Sequence, residues 1–140
     1  MSVLLVEKTN ISDPMKWFCD TMGIQGEWQK HPHLEGYTIQ ENDSEFYYCD
    51  TENYYRFEDF SNSYFEFQET EEWLNIAQGR ELIYGYFSDD NLSAEFIHIK
   101  NGECIREFRE YFDCEEDNVD FGTLPKFDSW VDVASYVERM

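Results

Sequence analysis

Positive charge is scarce in this sequence. It holds 10 Lys plus Arg against 31 Asp plus Glu, a net charge of -21 with a pI near 4.2. Such a field opposes close approach to nucleic-acid phosphates and anionic lipid, so neither nucleic acid nor a membrane surface is expected as a ligand. Long apolar runs are missing too. The longest purely aliphatic stretch, Val3-Leu4-Leu5-Val6, falls far short of the roughly 20 residues that cross a bilayer. Glu7 and Lys8 follow it at once, so it also lacks the form of a secretory leader, and a cytoplasmic protein is expected. Only 3 prolines and 7 glycines occur, with no linker rich in either, and the 140 residues fit a single domain, 1–140. The 4 cysteines, Cys19, Cys49, Cys104 and Cys114, match no zinc or C-x-x-C spacing. They are expected as free thiols, with no metal and no cofactor.

Apolar material is nonetheless ample: 41% of residues are hydrophobic and 19% aromatic, enough for one sizeable core. Ser2 to Lys8 reads as a strand buried on both faces, because its apolar residues are consecutive. Asp13-Pro14 offers an N-cap and a proline at N1, and Met15, Phe18, Cys19 and Met22 share one helical face before Gly23. Gln25 to Glu35, interrupted by Pro32, reads as a loop. From Tyr37 short aromatic runs alternate with polar turns (Tyr37–Glu41, Phe46–Cys49, Tyr54–Phe57, Tyr64–Phe67), the texture of an antiparallel meander. Thr70 to Gln78 reads as a helix with Thr70 as N-cap and Trp73, Ile76 and Ala77 as its buried stripe. Leu82–Phe87, Leu92–Lys100 and Glu103–Phe112 are strands, the last two joined by Asn101-Gly102, the dipeptide favoured in a type I′ turn. Ser129 to Arg139 closes the chain as a helix in which Ser129 and Asp132 form a capping box. The expected fold is α+β, an antiparallel β-sheet of about five to six strands with about three helices packed on it.

The negative charge is unevenly spread. Residues 1–33 have a net charge of -1, whereas residues 34–90 carry 15 acidic and 2 basic residues, net -13. Solubility alone asks for a net charge of about 2 to 8. The candidate partner-binding residues are therefore Glu41, Asp43, Glu45, Asp50, Glu52, Glu58, Asp59, Glu69, Glu71 and Glu72, among which the aromatics between Phe46 and Phe67 supply apolar anchors. A second acidic run, Asp113 to Asp120, alternates carboxylates at Asp113, Glu115 and Asp117 like a calcium loop. Asn118 and Leu124 stand where that loop needs Gly and Glu, so it reads as an exposed acidic loop. His31 and His33 flank a proline without the spacing of a zinc set, and His98 lies in a strand as a packed or surface residue. No G-x-S-x-G, P-loop or G-x-G-x-x-G occurs, and no catalytic constellation stands out, so an enzyme is not expected.

The stretch Glu95-Phe96-Ile97-His98-Ile99-Lys100-Asn101-Gly102-Glu103-Cys104-Ile105-Arg106-Glu107-Phe108, preceded by Tyr84-Gly85-Tyr86-Phe87-Ser88 and followed by the Trp130 helix, resembles small bacterial immunity proteins of polymorphic-toxin and contact-dependent-inhibition systems. The resemblance spans residues 82–140 and implies a single-domain cytosolic protein that blocks a toxin's active site or exosite, with no catalytic residue to carry over. With the charge, it sets the leading expectation: a non-enzymatic inhibitor, an immunity protein that occludes a basic toxin domain such as a nuclease. The alternative is a phage-type nucleic-acid mimic that inhibits a host restriction or CRISPR enzyme. The partner in either case is a basic protein.

Overall fold

The computed structural model describes residues 1–24, 27–40, 43–61, 65 and 68–140, with the side chains of residues 40 and 43–45 outside the description. Within them the chain forms, in order, β1 (Ser2–Glu7), α1 (Pro14–Met22), β2 (Trp28–Lys30), β3 (Tyr37–Gln40), β4 (Asp43–Asp50), β5 (Tyr54–Asp59), α2 (Thr70–Ala77), β6 (Leu82–Ser88), β7 (Ser93–Lys100), β8 (Glu103–Tyr111), β9 (Val119–Phe121) and α3 (Trp130–Val137). The strands make one antiparallel sheet in the order β2-β3-β4-β5-β1-β6-β7-β8-β9. It is a meander into whose middle the N-terminal strand is inserted. β5 and β6 both run antiparallel to β1, hence parallel to each other, and parallel strands need a crossover. α2 lies in that connection.

The central place of β1 explains its unbroken apolar run. Leu4 and Val6 face a core completed by Phe18 of α1 and by Trp73, Ile76 and Ala77 of α2. Val3 and Leu5 face the opposite core, closed by Phe127 and by Val133 and Val137 of α3. Burying each such side chain contributes roughly 1.5–3 kcal/mol, so both layers depend on this strand.

The α+β class, the antiparallel sheet and three helices match the sequence expectation; the strand number does not. The described residues contain nine strands, not five to six. β2, inside the stretch read as a loop, and β9, straddling the end of the run read as an acidic loop, have three residues each. A strand that short shows no alternation, and only a neighbour's backbone defines it. The expected strand Tyr64–Phe67 lies outside the described residues apart from Phe65, which is fully buried in the α1/α2 core.

Local capping is partly as read. The Lys16 backbone N–H donates to Asp13 Oδ1 at 3.1 Å, Pro14 opens α1, and Gly23 ends it in the left-handed region. Thr70 is not the N-cap of α2: Glu69 holds that place, and the Thr70 hydroxyl donates to Glu107 Oε1 of β8 at 2.8 Å. At α3, Ser129 is the N-cap, but Asp132 Oδ2 accepts from the Asp128 N–H at 2.7 Å and so completes no box with Ser129. Asn101 and Gly102 take φ values of 54° and 76°, the positive pair that a type I′ turn requires. No helix among the described residues is long and apolar enough to cross a membrane.

Candidate functional site

The ten carboxylates singled out in the sequence do not form one surface. Glu41 and the side chains of Asp43 and Glu45 lie outside the described residues. Asp50 and Glu52 are exposed at the β4–β5 turn, where Asp50 accepts a hydrogen bond from Tyr48 and lies 3.7 Å from Lys8 Nζ. Glu58 and Asp59 are buried, with 7% and 0% exposure, and present no carboxylate to a partner. Glu58 sits opposite Val3 on the α3 face, paired with Arg56, whose Nε also donates to the Met140 carbonyl at 3.2 Å. Asp59 accepts from the Ser61 N–H at 2.9 Å. Glu69, Glu71 and Glu72 are exposed at the start of α2, where negative charge suits the helix dipole.

Glu69 reaches a larger feature. A groove of about 660 Å³ opens between the start of α2 and the segment after β8, and its walls bring Glu69 together with Asp113, Glu116 and Asp117 of the second acidic run. The two runs, separate in sequence, meet here. Phe112 stands at the mouth, 65% exposed.

The floor is built by strand alternation. Glu107, Arg109 and Tyr111 fall on one face of β8, and Arg109 is paired in register with Glu95 of β7. Arg109 donates through Nη1 to Glu95 and to Tyr111 Oη (3.3 Å), through Nε to Glu107 Oε2 (3.0 Å) and through Nη2 to the Gln68 carbonyl (2.9 Å). Tyr84 donates to Glu95 Oε1 at 3.0 Å, and Tyr111 donates to the other oxygen. Burial, and then the Glu95 charge, push the Tyr84 and Tyr111 phenols well above their ordinary range. Burial opposes the Arg109 charge, but Glu95, Tyr111 and Glu107 together outweigh it and raise the guanidinium further. All of this chemistry is turned inward: every nitrogen of the one cation of the floor is engaged, and the carboxylates on the rim face solvent.

Cys114, Glu116 and Asp117 bring their donor atoms within 4.8 Å of one another, all exposed, around the 3-10 turn Glu115–Asp117. This is a different trio from the alternating Asp113, Glu115 and Asp117, and it falls short of the six to eight oxygens typical of calcium. His31 spends Nδ1 on its own turn, accepting the backbone N–H of His33 at 3.0 Å and of Leu34 at 2.9 Å. His98 is packed in its strand with Nε2 at 3.1 Å from Glu81. Burial resists ionisation of Glu81, yet hydrogen bonds from Tyr54 and His98 prevail and hold its carboxyl below the usual range. The Tyr54 phenol is pushed up to about 12 by burial and by that same carboxylate.

Sequence reasoning passed over Glu95, Arg109 and Phe112. A signal for Arg109 existed: Glu107-Phe108-Arg109 places opposite charges two residues apart around a phenylalanine, as Arg56-Phe57-Glu58 does. On a strand such pairs share a face while the ring takes the other. Comparison with models of known protein families, with curated proteins and with solved structures finds no match.

Proposed function

We propose that this protein is a non-enzymatic inhibitor that binds and occludes a basic protein, as an immunity protein does a toxin domain. One observation carries the reading. Among the described residues the buried charged groups nearly balance, Glu58, Asp59 and Glu95 against Arg106 and Arg109, with Arg56 half-buried beside Glu58, so nearly all of the net charge of -21 is left to the remainder of the molecule. Self-repulsion of that size works against a compact state, and what it supplies is a field that draws in and orients a positive partner. A nuclease groove is such a partner, being positive to hold phosphates. The free state of all four thiols agrees with action in a reducing cytosol.

The test is an affinity pull-down from the source cell, followed by the activity of the captured protein with and without this chain. The expected result is a stoichiometric complex with a basic protein whose activity is blocked. A captured toxin supports immunity; a captured restriction or CRISPR enzyme assigns the chain to the nucleic-acid mimics. A captured protein that is not basic, or that works undisturbed in the complex, overturns the proposal.

A further inference from the structure

The corner where β8 ends differs from the rest of the surface. Phe112 directly follows β8 and lines both the 660 Å³ groove and, on its other side, a hollow of about 310 Å³ whose wall includes Leu92 and Trp130. The ring is thus a ridge between two depressions, 65% exposed and committed to neither core. Seven carboxylates line these depressions: Glu107, held by Arg109, Glu110, which accepts from the Trp130 N–H, and Glu69, Asp113, Glu115, Glu116 and Asp117. Among the described residues no lysine or arginine forms an ion pair with any of the last five, whereas Asp20, Asp50, Glu81 and Asp120 each have a cation within 4.0 Å. Arg109, at the groove floor, is already held by Glu95 and Glu107.

An exposed aromatic ring among uncompensated carboxylates fits one side chain better than any other. Guanidinium is flat, stacks on an aromatic face and offers a fork of donors to carboxylates, whereas ammonium is a compact point charge that stays hydrated. A second copy of this chain would bring the same -21 and be repelled. We infer that the contact with the basic partner, on the reading proposed above, is centred on Phe112, and that the partner inserts an arginine side chain into the groove beside it.

The experiment uses the whole chain and two probes, hexa-arginine and hexa-lysine peptides, titrated by calorimetry at about 0.15 M salt, where the Debye length is about 8 Å. Hexa-arginine binds more tightly than hexa-lysine. Phe112→Ala and Phe112→Leu each weaken the arginine peptide about fivefold and abolish the preference over lysine, as loss of a cation–π contact requires. The pair Glu116→Gln/Asp117→Asn weakens both peptides, and the control pair Asp50→Asn/Glu52→Gln at the β4–β5 turn changes either by less than about twofold, because exposed charges beyond a Debye length are screened. All five substituted residues are exposed, so unchanged melting temperatures certify the fold. Equal losses at groove and turn, or equal binding of the two peptides, overturn the inference. If the captured partner is nonetheless basic and inhibited, the proposed function stands and only this location falls; if it is not basic, both fall.

Discussion

The two wings of the sheet are fastened to the helices by different means. On the α1/α2 face the β2–β5 wing is held by rings: Phe18 stacks on Phe57 with centroids 4.2 Å apart and on Phe46 at 5.3 Å, and meets Phe65 edge-on at 5.6 Å. On the same face the β6–β9 wing buries a polar network, Glu95, Arg109, Tyr84, Tyr111 and Glu107, joined to α2 through Thr70. Ring packing is non-directional and accepts substitutes of similar volume. A buried ion network fixes geometry, because each member left without its partner is costly. The wing that must hold charged groups in fixed places is the one beneath the acidic groove.

The largest effects break this comparison directly. Arg109→Met should destabilise by about 3–5 kcal/mol, since it strands a carboxylate at 0% exposure. Adding Glu95→Met should recover most of that loss. Phe57→Ala costs a similar amount, about 3–5 kcal/mol, through the cavity it leaves, but no second substitution restores it. Urea unfolding of the three variants checks both statements; a double variant no more stable than Arg109→Met would show that the network is not what fastens this wing.

Smaller effects come from the edge. Gly122, next to β9, has φ of 88°, and a Cβ there would lie 2.4 Å from the Ile105 carbonyl oxygen. Gly122→Ala should cost about 1–3 kcal/mol and detach β9 from β8, visible as lost amide protection at Val119 and Phe121. Gly102→Val meets the same positive φ, 76°, but open space, so it costs only the conformational penalty of about 1–2 kcal/mol. A Gly102→Val variant that melts with the parent would mean that the hairpin tolerates another turn.

The smallest effect depends on pH. Because the folded protein holds Glu81 below its ordinary value of 4.5, its contribution is fully present above that value and fades as pH falls through the depressed one. Glu81→Gln should therefore be less stable than the parent by about 1 kcal/mol at pH 7, with the gap closing as pH falls below 4.5 and through the depressed value, where the parent's carboxylate protonates. A gap that does not narrow on acidification would contradict the assignment of Tyr54 and His98 as its donors.

Legibility in the sequence followed the reach of each signal. β1, α1 and the Asn101-Gly102 hairpin were legible because a run, a periodicity or a dipeptide specifies them locally. β2 and β9 depend on partners remote in sequence, and Thr70 looked like a cap because nothing local reveals that its hydroxyl is taken by Glu107. Glu58 and Asp59 counted as surface charge because carboxylates usually are, yet β5 lies beside the central strand and carries them inward. The acidic character of the site was legible, but the meeting of Glu69 with residues 113–117 was not, since only the fold brings α2 over β8.

The most direct test of the central claim is the association rate with the captured partner as a function of ionic strength. Raising salt from 0.1 M to 1 M shortens the Debye length from about 10 Å to about 3 Å. If an acidic surface steers a basic partner, the association rate should fall by roughly tenfold or more across that range while dissociation changes far less. An association rate indifferent to salt would contradict the account.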